Sequence, residues 1–259
     1  TTAVEKAIAT AEEKYADGDK VSNLTALVKE QFEAYKANPE GYFDSVELFA
    51  LDTIIGGKGL NDFDLVMTLT GNSAEAIDWL ATKNAHLTNV GSFGGASVKR
   101  IHRATTEDGK TTPVGAYLVK VLTADVEAED KIDLRTNTAA TELVMEDGKA
   151  VGVKVKNENG EYTIRAKAVI LASGGFGANS ELLPDTLTGY MFYGRSTDLG
   201  DGLKMATEIG ADTINMDMVK VYAQGVETIP GRALAATASS TAATNGHGAI
   251  YVNTKGERV

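Results

Sequence analysis

Five short segments hold the glycines best spaced to do chemistry: GGKG (56–59), SFGGAS (92–97), SGGFG (173–177), GDG (200–202) and NGHG (245–248). A glycine turn after a strand brings backbone N–H groups close to a phosphate or a flat ring, and a following helix N-terminus adds partial positive charge. The stretch AVILASGGFGANSELL (168–183) has this form. An apolar run stops at a small residue, two glycines follow, and a polar helix start comes next. Something must lie close to Gly174 and Gly175, or their backbone must take a turn that no other residue tolerates. Other chemistries find no support. Without cysteine there is no thiol nucleophile, thiolate metal site or disulfide frame. His86, His102 and His247 stand far apart without ligand spacing, so metal chemistry is not expected. The dinucleotide fingerprint G-x-G-x-x-G is absent.

The elements that would position these turns fall into two kinds. The first part reads as helical. Val4, Ile8, Ala11 and Tyr15 recur on one face, as do Leu24, Leu27, Val28, Phe32 and Tyr35, with Ser22 as N-cap and Pro39 just past the end. The run 43–54 continues the pattern until GGKG. A further helix over DFDLVMTLTGNSAEAIDWL is expected to bury Leu65, Leu69, Ile77 and Trp79 or Leu80. After a helix at 114–122 the chain turns to strands: KIDLRT (131–136), a three-strand meander with turns at Asp147-Gly148 and Asn159-Gly160, and the buried run ending at Ser173. Another helix follows at 200–212. The fold class is α/β with α+β character.

Composition sets outer limits. Hydrophobic residues make up 43% and charged residues 24% of 259, an ordinary globular balance with enough chain for a sizeable core. The net charge of −11 argues against a nucleic-acid or anionic-membrane surface. No apolar run approaches a membrane span, and the compartment stays open.

Resemblance extends this reading. GGKGLNDFDLVMTLTGNSAEAIDWL, VGSFGGASVKRIHR, VGAYLVKVL, AVILASGGFGANSELL, GDGLKMATEIGADTINMD and GAIYVNTKGERV come in the order and spacing of the flavoprotein subunits related to soluble fumarate reductase, flavocytochrome c and urocanate reductase. The resemblance runs from about residue 45 to the end. It implies a partial FAD-binding Rossmann-like domain, cut at both ends. Residues 1–218 are the central part of that domain, with a helical portion at 1–90 and the meander and strand-turn-helix at 130–212. Residues 219–259 begin a clamp, or capping, domain.

The resemblance also assigns roles. Ala140 meets the adenine end of FAD through its backbone; Ala172, Ser173, Gly174 and Gly175 form the turn against the dinucleotide; Asp201 lies near the flavin, or caps its helix. On the substrate side Tyr222 takes the place of a substrate-binding histidine, or is an interfacial aromatic. Thr241 matches a substrate-binding threonine, whereas Ala242 replaces the proton-relay glutamate and Asn245 an arginine. Phe93 covers the substrate or belongs to the core. His102 and Arg103 are read as structural. The catalytic arginine of the family has no counterpart, so no catalytic residue is expected here. The implied activity is FAD-dependent reduction of the C=C bond of a small unsaturated carboxylic acid other than fumarate. The electron donor would be a haem, FMN or NADH module. The segment alone would hold FAD weakly or not at all. The alternative is a catalytically inactive flavin-binding or structural module.

Overall fold

The computed structural model describes residues 2–15, 18–92, 94–187, 189–219, 221, 225–235 and 252–258. The chain divides into two compact units, Thr1–Leu134 and Arg135–Val259.

The first unit is built on three helices: α1 (Ala3–Lys14), α2 (Asp19–Ala37) and α3 (Val46–Gly56). Helix α1 opens on a capping box, in which Glu5 N–H donates to Thr2 Oγ1 at 3.2 Å and Thr2 N–H donates to Glu5 Oε2 at 2.7 Å. Its buried face is Val4, Ala7, Ile8 and Ala11; that of α2 is Leu24, Thr25, Val28 and Phe32. Helix α3, apolar nearly all round, buries Leu48, Ala50, Leu51 and Ile54. It is the central helix, packed by α1, by α2 and by α4 (Phe63–Thr82), and a helix covered on several sides needs no polar face. Phe32, Tyr35 and Phe43 close one end of the core, with ring centroids 5.0–6.3 Å apart. The unit continues through a short hairpin of β1 (Asn89–Gly91) and β2 (Ile101–Arg103) to α5 (Val114–Glu127).

Three expectations for this unit change. Helix α2 starts at Gly18, whose φ of 146° is open to glycine, so Ser22 lies inside the helix and is not its cap. Leu27 is 41% exposed beside the buried Val28. The first half of helix α4 is turned by about one residue, or ~100°, from the expected face. In its first half Val66 and Thr70 are the buried residues, while Leu65 and Leu69 are 67% and 59% exposed; further on, Ile77 and Leu80 are half-buried as expected and Trp79 is 53% exposed. The smaller β-branched side chains allow α4 to approach α3 closely, which the bulkier leucines would prevent.

The second unit carries the meander β3 (Ala139–Glu146), β4 (Lys149–Asn157) and β5 (Gly160–Arg165), antiparallel throughout. Asp147 and Gly148 take φ of 50° and 73°, the paired left-handed conformation that a tight hairpin requires. Gly152 of β4 is a packing glycine: a Cβ there would stand 2.4 Å from the Ile164 carbonyl oxygen. After β5 come two short 3₁₀ turns, α6 (Asp201–Glu208), and the hairpin of β6 (Gly225–Ile229) and β7 (Arg232–Ala235).

The strand expected at 131–136 does not form; Ile132 and Leu134 are 48% and 51% exposed, and no strand among the described residues pairs with this run. Nor is the run 168–172 a paired, buried strand, since Ile170 is 90% exposed. No strand among the described residues lies alongside it, so it gains neither a hydrogen-bond ladder nor a second layer. Among the described residues no helix is long and apolar enough to cross a membrane.

Candidate cofactor-binding turn

The segment 172–178 of the second unit is locked to the residues that lead into α6. Gly200 N–H donates to the Gly175 carbonyl at 3.1 Å, Ala178 N–H donates to the Asp198 carbonyl at 3.0 Å, and Asn179 Nδ2 donates to the Leu199 carbonyl at 3.1 Å. Glycine makes this approach feasible at several points. A Cβ on Gly202 would fall 2.3 Å from Ser173 Oγ, and one on Gly200 2.9 Å from Phe176 Cβ. The Phe192 ring fills the space beside Gly177 and Gly194, where a Cβ would come within 2.3 Å of it.

The two glycines of the turn are there for different reasons. Gly174 has φ of 85° and a Cβ there would stand 2.9 Å from Asp198 Oδ1, so backbone conformation and the neighbouring carboxylate both favour glycine. Gly175 takes no left-handed angle, and a Cβ on it would meet nothing within 4 Å. Its Cβ side is open among the described residues.

Ala172, Ser173, Gly174 and Gly175 are all exposed. Among the described residues the N–H groups of 173–177 have no acceptor. Asp201 occupies the first turn of α6 and does not cap it; Gly200, with φ of 80°, is the N-cap and makes no side-chain bond. Ala140 is exposed on β3 beside an irregularity in register between Ala140 and Glu142, and α6 packs against this strand. The result is a bare backbone edge with free donors, flanked by the carboxylates of Asp198 and Asp201. Such an edge suits the carbonyl, ring and hydroxyl parts of a dinucleotide. It offers no cation to a pyrophosphate.

These features meet a decisive match. Residues 32–259 match the family described as FAD binding domain. The chain belongs to that family. FAD is its cofactor type. The exposed edge at 172–175, with open space at Gly175 and N–H groups lacking an acceptor among the described residues, has the room and the donors such a group needs. The chain is 38% identical over 220 residues to the fumarate reductase (cytochrome) of Shewanella frigidimarina, covering 83% of this chain and 36% of that protein. It is 34% identical over 192 residues to urocanate reductase of Eggerthella lenta, covering 71% and 31%. Among solved structures, the open conformation of a flavocytochrome c3 fumarate reductase superposes with a TM-score of 0.70 at 33% identity, covering 88% and 38%. The chain thus spans about a third of the length of those relatives.

Phe93, Tyr222 and Thr241, expected on the substrate side, lie outside the described residues. His102 is half-buried, with Nδ1 3.0 Å from the Arg100 carbonyl.

The first unit holds a cluster that sequence reasoning missed. Asp52 Oδ2 accepts from Ser97 N–H at 2.9 Å, from Ser97 Oγ at 2.8 Å and from Arg100 Nη1 at 2.6 Å. Arg100 Nε and Nη2 grip Asp44 at 2.8–3.0 Å. The guanidinium lies 4.9 Å from the Phe49 ring centroid. Burial alone would lower the Arg100 pKa, but the hydrogen bonds to Asp44 and Asp52 outweigh it and hold the pKa above the usual value. Tyr42 OH also bonds Lys99 N–H. Together these contacts pin residues 97–100, which begin at the last residue of SFGGAS, to α3 and to the segment just before it. The available signal was one aspartate inside the apolar run VELFALDTIIG. Arg100 and Asp44 also line a cleft of about 490 Å³ with Phe49, Ala74 and Ile77. The guanidinium there is already committed to two carboxylates.

Proposed function

We propose that residues 1–259 form the central part of the flavin domain of a longer FAD-dependent reductase acting on the C=C bond of an unsaturated carboxylate. The exposed 172–175 edge beside the GDG segment, in a chain of the FAD-binding domain family, carries this reading. The chemistry supplied by the bound flavin is hydride transfer to an activated C=C bond. This chain's residues do the holding: the free N–H groups of 173–177 receive cofactor acceptors, the open side of Gly175 gives room for close approach, and Ala140 contributes its backbone. Asp201 places a carboxylate near the flavin. Residues 1–218 belong to the cofactor domain, and 219–259 begin a clamp domain that carries Tyr222 and Thr241 to the substrate.

Fumarate and urocanate reductases among the relatives support an enoate as substrate class. The sequence changes at Tyr222, Ala242 and Asn245 favour a substrate other than fumarate. A haem, FMN or NADH module would supply the electrons. The test is amide NMR of the 259-residue chain with FAD added to millimolar concentration. Shifts confined to 140, 172–178 and 198–202 support the reading; shifts elsewhere, or none, overturn it.

A further inference from the structure

Asp198 is the residue at the candidate site with a purpose not yet accounted for. Its main chain is fully engaged: its N–H donates to the Arg195 carbonyl at 3.0 Å, and its own carbonyl accepts from Ala178 at 3.0 Å. The backbone is thereby fixed on the 174–178 turn, and the residue is half-buried. Its carboxylate, however, has no hydrogen-bond or ion-pair partner among the described residues. It occupies the space beside Gly174 that a side chain there would need, with Oδ1 2.9 Å from the position of a Cβ. A fixed, half-buried acceptor with unused lone pairs next to a ligand-facing edge is poised for a donor that the ligand brings.

We propose that Asp198 is a cofactor-binding residue that accepts a hydrogen bond from a sugar hydroxyl of FAD, on the ribityl chain or on the adenosine ribose. The assignment rests on the FAD reading above. The sign of the charge restricts it. Two carboxylates, Asp198 and Asp201, flank the edge, and among the described residues no Lys or Arg is bonded to either. An anion placed at ~4 Å from a carboxylate is repelled by roughly 4 kcal/mol at an effective dielectric of about 20. The diphosphate therefore passes elsewhere, and the part of FAD at Asp198 is a neutral hydroxyl-bearing one. A hydroxyl donating to a carboxylate is a charge-assisted bond, stronger than one between neutral partners.

The experiment is FAD titration of the 259-residue chain, followed by quenching of flavin fluorescence, for the wild type, Asp198→Ala and Asp198→Asn. Circular dichroism checks the fold of each. Asp198→Ala should weaken binding about tenfold, and Asp198→Asn, which keeps an acceptor oxygen, by less. Riboflavin and ADP as separate ligands, ADP followed by isothermal titration calorimetry because it carries no flavin, identify the source: the penalty follows riboflavin if the ribityl chain is the donor, and ADP if the ribose is. Unchanged affinity in a folded Asp198→Ala protein overturns the assignment. So does tighter binding in both variants, which would place the diphosphate at Asp198. Wild-type protein that shows no saturable binding at millimolar FAD removes the FAD reading itself, and the inference with it.

Discussion

Replacing Asp52 by alanine should destabilise the first unit more than any other single change in its polar groups. The side chain is 7% exposed as a residue and accepts three hydrogen bonds, two from Ser97 and one from Arg100. Its removal leaves the Ser97 N–H and hydroxyl without their acceptor and leaves Arg100, whose side chain is 10% exposed, facing a vacated site. Breaking a buried pair by removing one partner costs about 3–5 kcal/mol. Asp44 still holds the guanidinium, so the lower end, about 3 kcal/mol, applies to Asp52→Ala. Asp44, 32% exposed at its side chain, is better screened, and Asp44→Ala should cost about 1–2 kcal/mol. Asp52→Asn keeps an acceptor for Ser97 but loses the charge, and should fall between the two. Trp79 is the only tryptophan and lies in the first unit, so its fluorescence in urea reports this unit alone. A loss below 1 kcal/mol for Asp52→Ala, or a larger loss for Asp44→Ala, would refute the view that this cluster anchors residues 97–100.

Leu48→Ala, at a fully buried position of the central helix, should cost about 2–5 kcal/mol in the same urea assay, whereas Leu69→Ala on the exposed side of α4 should cost under ~0.5 kcal/mol. Equal losses would restore the orientation of α4 first expected from its leucines. Gly174→Val should weaken FAD binding and also strain the turn, because its φ of 85° is unfavourable for a β-branched residue. Gly175→Ala should keep the fold by circular dichroism and lose FAD affinity alone; unchanged affinity would remove Gly175 from the cofactor edge.

The helical core was legible because its determinants are local. The spacing of Val4, Ile8 and Ala11, and of Leu24, Val28 and Phe32, already names the buried faces found in α1 and α2. The meander was legible for the same reason, through Asp147-Gly148 and Asn159-Gly160. The orientation of α4 was not, because Leu65 and Val66 are both apolar and only packing against α3 selects between them. The run 168–172 reads as a buried strand, yet a strand needs a pairing neighbour, and none is among the described residues. At the candidate site the glycines were legible as a requirement for close approach. Their separate reasons were not, since Gly174 answers to Asp198 and its own backbone angle while Gly175 faces open space. Asp198 and the Asp52–Arg100 cluster were missed because each depends on contacts between residues distant in sequence.

The most direct test of the account is isothermal titration of the purified 259-residue chain with FAD. On the proposed reading the edge at 172–175, Ala140 and the two aspartates would contact the neutral parts of the cofactor, with no diphosphate cradle assigned among the described residues, and the diphosphate provides much of the affinity of a dinucleotide site. The account predicts saturable binding weaker than micromolar. Micromolar or tighter binding would contradict it, because the diphosphate would then have to be held by residues assigned no such role.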